Sequence, residues 1–238
     1  MVSKIASSKH DSLAAHIGQE LRQDILDGRL LPGMKIGQEA VAKRFGTSRL
    51  PVRQAFARLA SEGLITSEQH KGACVAPLSF DGLLEIYLMR ERLEPLAISE
   101  SVQHLTIEQL GHLRSLVEEM EAATAQKEFA CWIELDTRFH LESYQAAPFP
   151  HLLNVIDTLF ARAQQYRRIY LMFPQTLDLS NLEHQLLMEA FERRDVHDAE
   201  QLQYIHIRRT RLGLTHHPAL FGLPHQQAAN EGNRSQGQ

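Results

Sequence analysis

Asp136 and His140 lie four positions apart in the stretch "LDTRFH" (residues 135–140), in a segment whose apolar spacing predicts a helix. Four-residue spacing places both side chains on one helix face. The pair is therefore compatible with half of a metal site, with a catalytic acid–base pair or with an ordinary polar stripe. The pair alone does not distinguish these, because a chain with 13 histidines places some of them four residues from an acid by chance.

Two further histidines fall on predicted apolar helix faces. His184 lies three and four residues before Leu187 and Met188, and His206 lies on the face that carries Ala199. One carboxylate and three imidazoles buried together would be costly without partners, and a divalent cation would satisfy all four. This donor set suits Zn²⁺ as the expected ion, with Ni²⁺, Mn²⁺ or Fe²⁺ as alternatives. The competing interpretation is four polar side chains satisfied separately by water or by one another.

The composition is that of a globular protein with a sizeable core, since 43% of the 238 residues are apolar. The sequence has no apolar run of the roughly 20 residues that span a bilayer, and the first 20 residues lack the apolar core of a signal peptide. We therefore expect a soluble, cytoplasmic protein without a membrane partner. Cys74 and Cys131 are far apart and form no C-x-x-C motif, which predicts free thiols.

Charge is distributed unevenly along the chain. Residues 1–78 carry 11 Lys and Arg against seven Asp and Glu, a net of +4, whereas residues 79–238 carry 14 against 22, a net of −8. The basic front of the chain favours a polyanionic partner, although many solvated surfaces carry as much positive charge.

The N-terminal part is predicted to form three helices and a β-hairpin. The first helix carries an apolar repeat every four residues, formed by Leu13, Ile17, Leu21 and Ile25. It is predicted to begin at an N-cap on Ser12 and to stop at Gly28. A short helix over 38–45 follows, and then a helix in "TSRLPVRQAFARLASEG" with Val52 and Phe56 on its apolar face. The segment "LITSEQHKGACVAP" shows β-type residues around a polar turn, so a winged helix-turn-helix is predicted.

The rest of the chain shows helical periodicity and no useful strand alternation. Helices are predicted over 80–103, 106–127, 129–146, 150–172, 178–194 and 196–213. The predicted fold is mainly α. A winged helix-turn-helix of three helices plus a β-hairpin wing covers residues 1–78, and an all-α antiparallel bundle of about six helices covers 79–222. The polar end, 223–238, is predicted to be a disordered tail.

The second helix of a helix-turn-helix enters the major groove of DNA with its N-terminus first. Arg49 and Arg53 share a face of that helix, opposite the apolar stripe, and either could bind a guanine edge or a phosphate. The alternative is a basic, solvated helix in a generic three-helix domain. The candidate DNA-binding residues lie before the turn, at the start of the third helix and at the wing tip: Arg44, Ser48, Arg49, Arg53, His70, Lys71 and Gly72.

Over about 65 residues the sequence resembles the DNA-binding domain of the GntR family of bacterial transcription regulators. The resemblance rests on "ILDGRLLPGMKI", "AVAKRFGTSRLPVRQAFARLASEGLI" and "HKGACV", and above all on S-R-x-P-V-R followed by R-L and E-G-L. Gln54, Phe56 and Leu50 depart from the commoner Glu, Leu and Thr, which would affect base preference more than the fold.

The C-terminal part resembles the FCD effector domain of the FadR-type subgroup, through "MRERLEPLA", "ELDTRFHLESY" and "EHQLLMEAFERRDVHDAEQLQYIHI" over about 80–212. In metal-binding members an Asp and three His hold a divalent ion, and Asp136, His140, His184 and His206 occupy those positions. Arg90 matches the Arg of the first effector-domain helix, where the resemblance implies pairing with an effector carboxylate. The alternative for Arg90 is a helix-surface salt bridge with Glu94. Phe149 replaces a commonly polar Asn, so the usual effector cannot be assumed.

The two resemblances imply a homodimeric transcription regulator, more often a repressor in this family. It would bind a pseudo-palindromic operator and respond to a small organic acid at a divalent-metal site. One alternative is a metal-dependent hydrolase that uses the Asp/His₃ site, although no G-x-S-x-G, H-E-x-x-H or Gly-rich phosphate loop supports it. The other is an effector domain whose metal is purely structural.

Overall fold

The computed structural model describes residues 2–68, 72–171, 173 and 175–221. The chain divides into two compact units between Leu78 and Ser79. The tail predicted over 223–238 lies outside the described residues. Within the described ranges, no helix is both long and apolar enough to cross a membrane.

The first unit contains three helices and a small antiparallel sheet, as the winged helix-turn-helix requires. The elements are α1 (Val2–Leu26), β1 (Lys35–Ile36), α2 (Gln38–Arg44), α3 (Arg49–Ser61), β2 (Ile65–Glu68) and β3 (Gly72–Val75). The strand order is β1-β3-β2, with Ile65 opposite Val75 and Lys35 opposite Cys74. The hairpin prediction is confirmed, and the sequence prediction missed β1, since two residues are too few for a period-2 pattern.

The predicted start of the first helix was wrong. Helix α1 runs through Ser12 and begins at Val2. No Gly or Pro interrupts residues 2–12, so the weak local preference of Ser12 for a cap does not end the helix. At the other end, Gly28 adopts a left-handed φ of +71° just after the last turn, as a stop at this residue requires.

Helix α3 packs through the predicted apolar stripe, and Val52, Phe56 and Leu59 are all buried. Ser48 is its N-cap, but its hydroxyl makes no capping hydrogen bond. Proline at position 51 removes the N3 amide that a cap hydroxyl would most readily bind.

The second unit is the predicted helical bundle. Its helices are α4 (Phe80–Val102), α5 (Ile107–Gln126), α6 (Phe129–Tyr144), α7 (Pro150–Tyr170), α8 (Thr176–Glu192) and α9 (Val196–Thr215), followed by a 3₁₀ turn at Pro218–Phe221. Helix α4 packs against α6, α7 and α9, while α8 packs against α5 and α9. Side-chain caps at Ser79, Thr106 and Asp195 fix where α4, α5 and α9 begin.

Helix α6 contributes to the core of this unit along most of its length. Trp132, Phe139 and Phe191 are at most 1% exposed and belong to one continuous apolar cluster. The polar side chains of the candidate site are therefore enclosed by large apolar groups, which strengthens every electrostatic interaction among them.

Candidate metal centre

Three helices bring the four candidate ligands together. Helix α6 carries Asp136 and His140, α8 carries His184, and α9 carries His206. All four are buried, and one ligand atom from each lies within 4.8 Å of the others. Helical spacing thus correctly predicted the buried face of each helix, and packing of the helices unites the four.

The three imidazoles form a near-equilateral triangle, with ring centroids 4.9–5.1 Å apart. Nε2 of His184 lies 3.2 Å from Nε2 of His140 and 3.3 Å from Oδ1 of Asp136. Nε2 of His140 lies 3.5 Å from the same carboxylate oxygen. The donor atoms therefore converge on one point.

Burial keeps these imidazoles neutral. Burial lowers the pKa of His140 to about 4. It also places the pKa of His184 well below the ordinary range, where the neighbouring His206 lowers it further. Burial together with His140 has the same effect on the pKa of His206. Neutral imidazoles present nitrogen lone pairs, which is the form that ligates a metal.

The donor set fits a divalent cation better than it fits a proton network. The facing Nε2 atoms of His140 and His184 can share only one proton. The Nδ1 atoms of both rings are buried and have no hydrogen-bond partner in the described part of the chain. A cation would accept both facing lone pairs at once, which a single shared proton cannot do.

Glu183 and Arg209, which the sequence prediction missed, orient His206. Oε2 of Glu183 accepts a hydrogen bond from Nδ1 of His206 at 2.6 Å, which leaves Nε2 facing the other ligands. Nε of Arg209 donates to Oε1 of Glu183 at 2.6 Å, and the same guanidinium donates to the Tyr170 hydroxyl at 2.6 Å and to Ser180 Oγ at 3.2 Å. This is the arrangement that fixes the tautomer of a ligating histidine.

Arg167 orients the carboxylate of Asp136, as Glu183 orients the ring of His206. Its guanidinium forms an ion pair with Oδ2 of Asp136, so Oδ1 is left facing the imidazoles. It also donates to Gln164 at 2.5 Å and stacks over Phe160, 4.4 Å from the ring centroid. No spacing signal in the sequence points to this residue, because α7 carries none of the four ligands.

Arg90 pairs with Glu94, the partner named in the alternative interpretation, but the pair is buried and not on the helix surface. Nη2 of Arg90 donates to Oε2 of Glu94 at 3.2 Å, and the hydroxyl of Tyr144 donates to the same oxygen at 2.7 Å. Nε2 of Gln203 donates to the Tyr144 hydroxyl at 2.7 Å. An effector role for Arg90 stays a prediction.

A void of about 20 Å³ adjoins the ligand cluster, here called the metal-side void. Its lining includes Asp136, His206, Arg167, Trp132 and Leu171. This volume holds about one water molecule and is too small for an organic acid. In this structure the arginine that faces the void is Arg167, and Arg90 is not among its lining residues.

The candidate DNA-binding side chains lie on the exposed face of the first unit. Ser48, Arg49 and Arg53 are exposed at the start of α3, opposite its buried stripe. Arg49 pairs with Glu39 of α2. Among the described residues, Arg53 has no hydrogen-bond or ion-pair partner.

Arg44 is about half exposed and donates to Asp24 at 2.5 Å. Gly72 begins β3, while His70 and Lys71 lie outside the described residues. The DNA contacts of all these residues stay predictions.

Comparison with known proteins agrees with both units. The family model described as "Bacterial regulatory proteins, gntR family" matches residues 13–75, and the FCD domain model matches residues 85–209. The HTH-type transcriptional regulator McbR of Escherichia coli (strain K12) is 29% identical over 154 residues, 65% of this chain and 70% of McbR. The HTH-type transcriptional repressor RspR of the same organism is 26% identical over 187 residues, 79% of this chain and 82% of RspR.

Solved structures show the same fold. The structure of E. coli McbR/YncC matches with a TM-score of 0.77 at 24% identity, over 85% of this chain and 96% of that one. A putative GntR transcriptional regulator from Rhodococcus sp. RHA1 matches with a TM-score of 0.74 at 17% identity, over 85% and 97%. The chain therefore belongs to the GntR family of bacterial transcription regulators and carries an FCD domain as its C-terminal unit.

Proposed function

We propose that this protein is a repressor whose affinity for its operator is set by a small carboxylate effector bound at a divalent metal ion. The observation that carries the proposal is the convergence of Asp136, His140, His184 and His206 inside the helical unit of a DNA-binding regulator. The repressor assignment follows the relative RspR, which is an HTH-type transcriptional repressor.

DNA reading is assigned to the start of α3. Arg53 is exposed and unpaired among the described residues, so its guanidinium is available for a guanine edge or a phosphate. The surface pair between Arg49 and Glu39 is exposed on both sides and contributes little stability, so a DNA contact could replace it. A homodimer would place one recognition helix in each half of a pseudo-palindromic operator.

Arg53→Ala tests this assignment. If Arg53 contacts a base, the variant should lose about 1–3 kcal/mol of specific operator affinity with an unchanged fold. Arg58→Ala, an exposed arginine in the last turn of the same helix, is the matched control and should lose less. Binding is measured against the protein's own upstream region and unrelated DNA at one fixed salt concentration. Equal affinity for the two DNAs would contradict the specific-regulator proposal.

The sensor role is assigned to the metal centre. Asp136 Oδ1 and the three Nε2 atoms would hold the ion, with Zn²⁺ as the expected ion and Ni²⁺, Mn²⁺ or Fe²⁺ as alternatives. When bound, the ion could coordinate an anionic oxygen of the effector in addition to its four protein ligands. Arg167 faces the same void and could pair with the second oxygen of a carboxylate. Arg90 stays a further candidate for that pairing.

We propose binding and not catalysis at this centre. A hydrolase would need a general base free to accept a proton near the ion. Glu183, the carboxylate that contacts His206, is already held by two hydrogen-bonding partners, His206 and Arg209. Its geometry suits an orienting role.

Metal content tests the ligand set directly. Purified wild-type protein should retain bound ion, and His184→Ala should lose it, because the variant removes a fully buried donor from the centre. His151→Ala, which removes an exposed histidine at the start of α7, should retain it. Equal metal content in His184→Ala and wild type would remove His184 from the site.

A thermal-shift screen of metabolite carboxylates, with and without added metal, tests the sensor role. A true effector should raise the Tm of the metal-loaded protein and change its operator affinity. If every carboxylate leaves both quantities unchanged, the ion is structural and the sensor proposal fails.

A further inference from the structure

We propose that the effector is an organic acid with an apolar body, an aromatic or branched hydrocarbon chain, and not a polyhydroxy or polycarboxylic acid. The inference rests on the proposed effector function and assigns it a second subsite. The carboxylate would face the metal centre, and the body would occupy a separate cavity of about 850 Å³, here called the apolar pocket.

The apolar pocket lies where the end of α5, the start of α6, the end of α7 and the start of α8 meet. Most of its lining surface is hydrocarbon, from Phe129, Ile133, Leu171, Phe173 and Leu177. Its polar lining residues are Thr124, Lys127, Arg168, Gln175 and Asp178. Its volume is in the range of small-molecule sites in proteins. By contrast, the metal-side void of about 20 Å³ admits no organic acid, so an effector that reaches the ligands must have its body elsewhere.

Leu171 belongs to the walls of both cavities. It caps the C-terminal end of α7 and is only partly buried. Among the described residues, Leu171 is the one that the two linings share, so displacing its side chain would join the apolar pocket to the metal-side void.

Two hydrogen bonds connect the linings of the two cavities through Asn181. Nε1 of Trp132, which lines the metal-side void, donates to Oδ1 of Asn181 at 2.8 Å. Nδ2 of Asn181 in turn donates to Oγ1 of Thr124, which lines the apolar pocket, also at 2.8 Å. Trp132 is further held by stacking on His184, with ring centroids 6.0 Å apart. Leu171, whose hydrocarbon side chain is held only by packing, is the wall residue that we expect to move.

The lining determines which acids fit. Most of the pocket surface is hydrocarbon and returns no hydrogen bonds, so the hydroxyl or extra carboxylate groups of gluconate or citrate that lie against it would lose their hydration without compensation. A hydrocarbon body gains from the same burial. Lys127 stands at the pocket with an exposed side chain that has no partner among the described residues, so it would attract the anion as it approaches.

The test uses the full-length, Zn²⁺-loaded protein with 3-phenylpropanoate and citrate as probes. Trp132 is the only tryptophan in the chain, so intrinsic fluorescence reports on the wall itself. We expect 3-phenylpropanoate to raise the Tm and change the Trp132 emission, and citrate to do neither. Chelated protein and His184→Ala should bind 3-phenylpropanoate more weakly, because the carboxylate loses the ion.

Ala130→Phe fills the apolar pocket from the first turn of α6 without adding a tryptophan. It should weaken 3-phenylpropanoate binding by about tenfold or more and leave zinc content unchanged. Ala122→Phe, at an exposed alanine of α5 outside the pocket, is the matched control. Equal binding to both variants would overturn the subsite.

The outcomes separate this inference from the proposed function. The apolar-acid assignment is overturned if citrate binds and 3-phenylpropanoate does not, or if neither binds. The metal-content and operator-binding experiments do not depend on that outcome. If 3-phenylpropanoate binds equally with and without zinc, the carboxylate does not reach the centre and the two-subsite model is wrong. Absence of zinc from wild-type protein would instead refute the metal centre itself.

Discussion

Glu183→Gln tests whether the carboxylate behind His206 controls the affinity of the centre for its ion. Oε2 of Glu183 lies 2.6 Å from Nδ1 of His206, and Arg209 Nε lies 2.6 Å from Oε1. Glutamine keeps the shape but loses the charge. Its amide nitrogen cannot accept from either donor, so one of the two hydrogen bonds must be lost.

The expected magnitude follows from the position of this pair. Removing a partner that orients a ligating histidine typically weakens metal binding by about 10–100-fold, or about 1.4–2.7 kcal/mol. The side chains of His206 and Glu183 are only 11% and 12% exposed, so water screens their interaction little. We therefore expect a loss toward the upper end of that range.

The assay is competition for Zn²⁺ against a chromogenic chelator at pH 7.5, with Trp132 quenching by Ni²⁺ as a second readout. Trp132 suits this because its ring stacks on His184. Glu189→Gln is the matched control, since Glu189 is exposed on the same helix and six residues further on. If Glu183→Gln binds zinc as tightly as Glu189→Gln does, the orienting role is refuted.

Two further predictions concern stability. Burial lowers the pKa of His140 from its ordinary 6.5 to about 4. Between these two pH values His140 is therefore protonated in the unfolded chain and neutral in the folded chain. The free energy of unfolding of metal-free protein should therefore be highest above pH 6.5 and fall by about 1.4 kcal/mol per pH unit between 6.5 and 4, with the two other buried imidazoles acting in the same direction. Urea titrations of chelated protein at pH 7.5 and 5.5 measure this, and equal stability at both would contradict it. Gly213→Ala places a Cβ 2.3 Å from Cε2 of Tyr170 and should lower stability by about 1–3 kcal/mol, whereas Gly111→Ala meets no atom within 4 Å and should raise it by up to about 1 kcal/mol. Thermal melts compare the two, and an unchanged Tm for Gly213→Ala would mean that Tyr170 moves aside freely.

The sequence predicted the helices and the buried positions of the four candidate ligands because both depend on local periodicity. His184 could be placed on a buried face because Leu187 and Met188 define that face within two helical turns, and both are fully buried. Helix ends were less predictable. The cap signal at Ser12 was a preference of one residue, and a helix of favourable composition continued past it to Val2.

The residues that orient the ligands could not be predicted, and the reason is geometric. Glu183 directly precedes His184, so the helical period turns it about 100° away from the buried face and spacing assigns it to the surface. Its role arises only because α9 packs against α8 and presents both His206 and Arg209 to it.

Arg167 in the last turn of α7 and Leu171, which caps that helix, could not be predicted for the same reason. Arg167 reaches Asp136, and Leu171 lines both cavities, through packing between helices that share no sequence pattern. We therefore expect the Asp/His₃ pattern to decide whether an ion is held, and residues outside the pattern to decide how tightly it is held and which acid reaches it. Two chains with the same four ligands can consequently differ in effector. In this protein we expect that difference to lie in the side chains around Leu171. The void of about 20 Å³ beside the ligands is too small to contact the body of an acid, so the ligands cannot distinguish one acid from another.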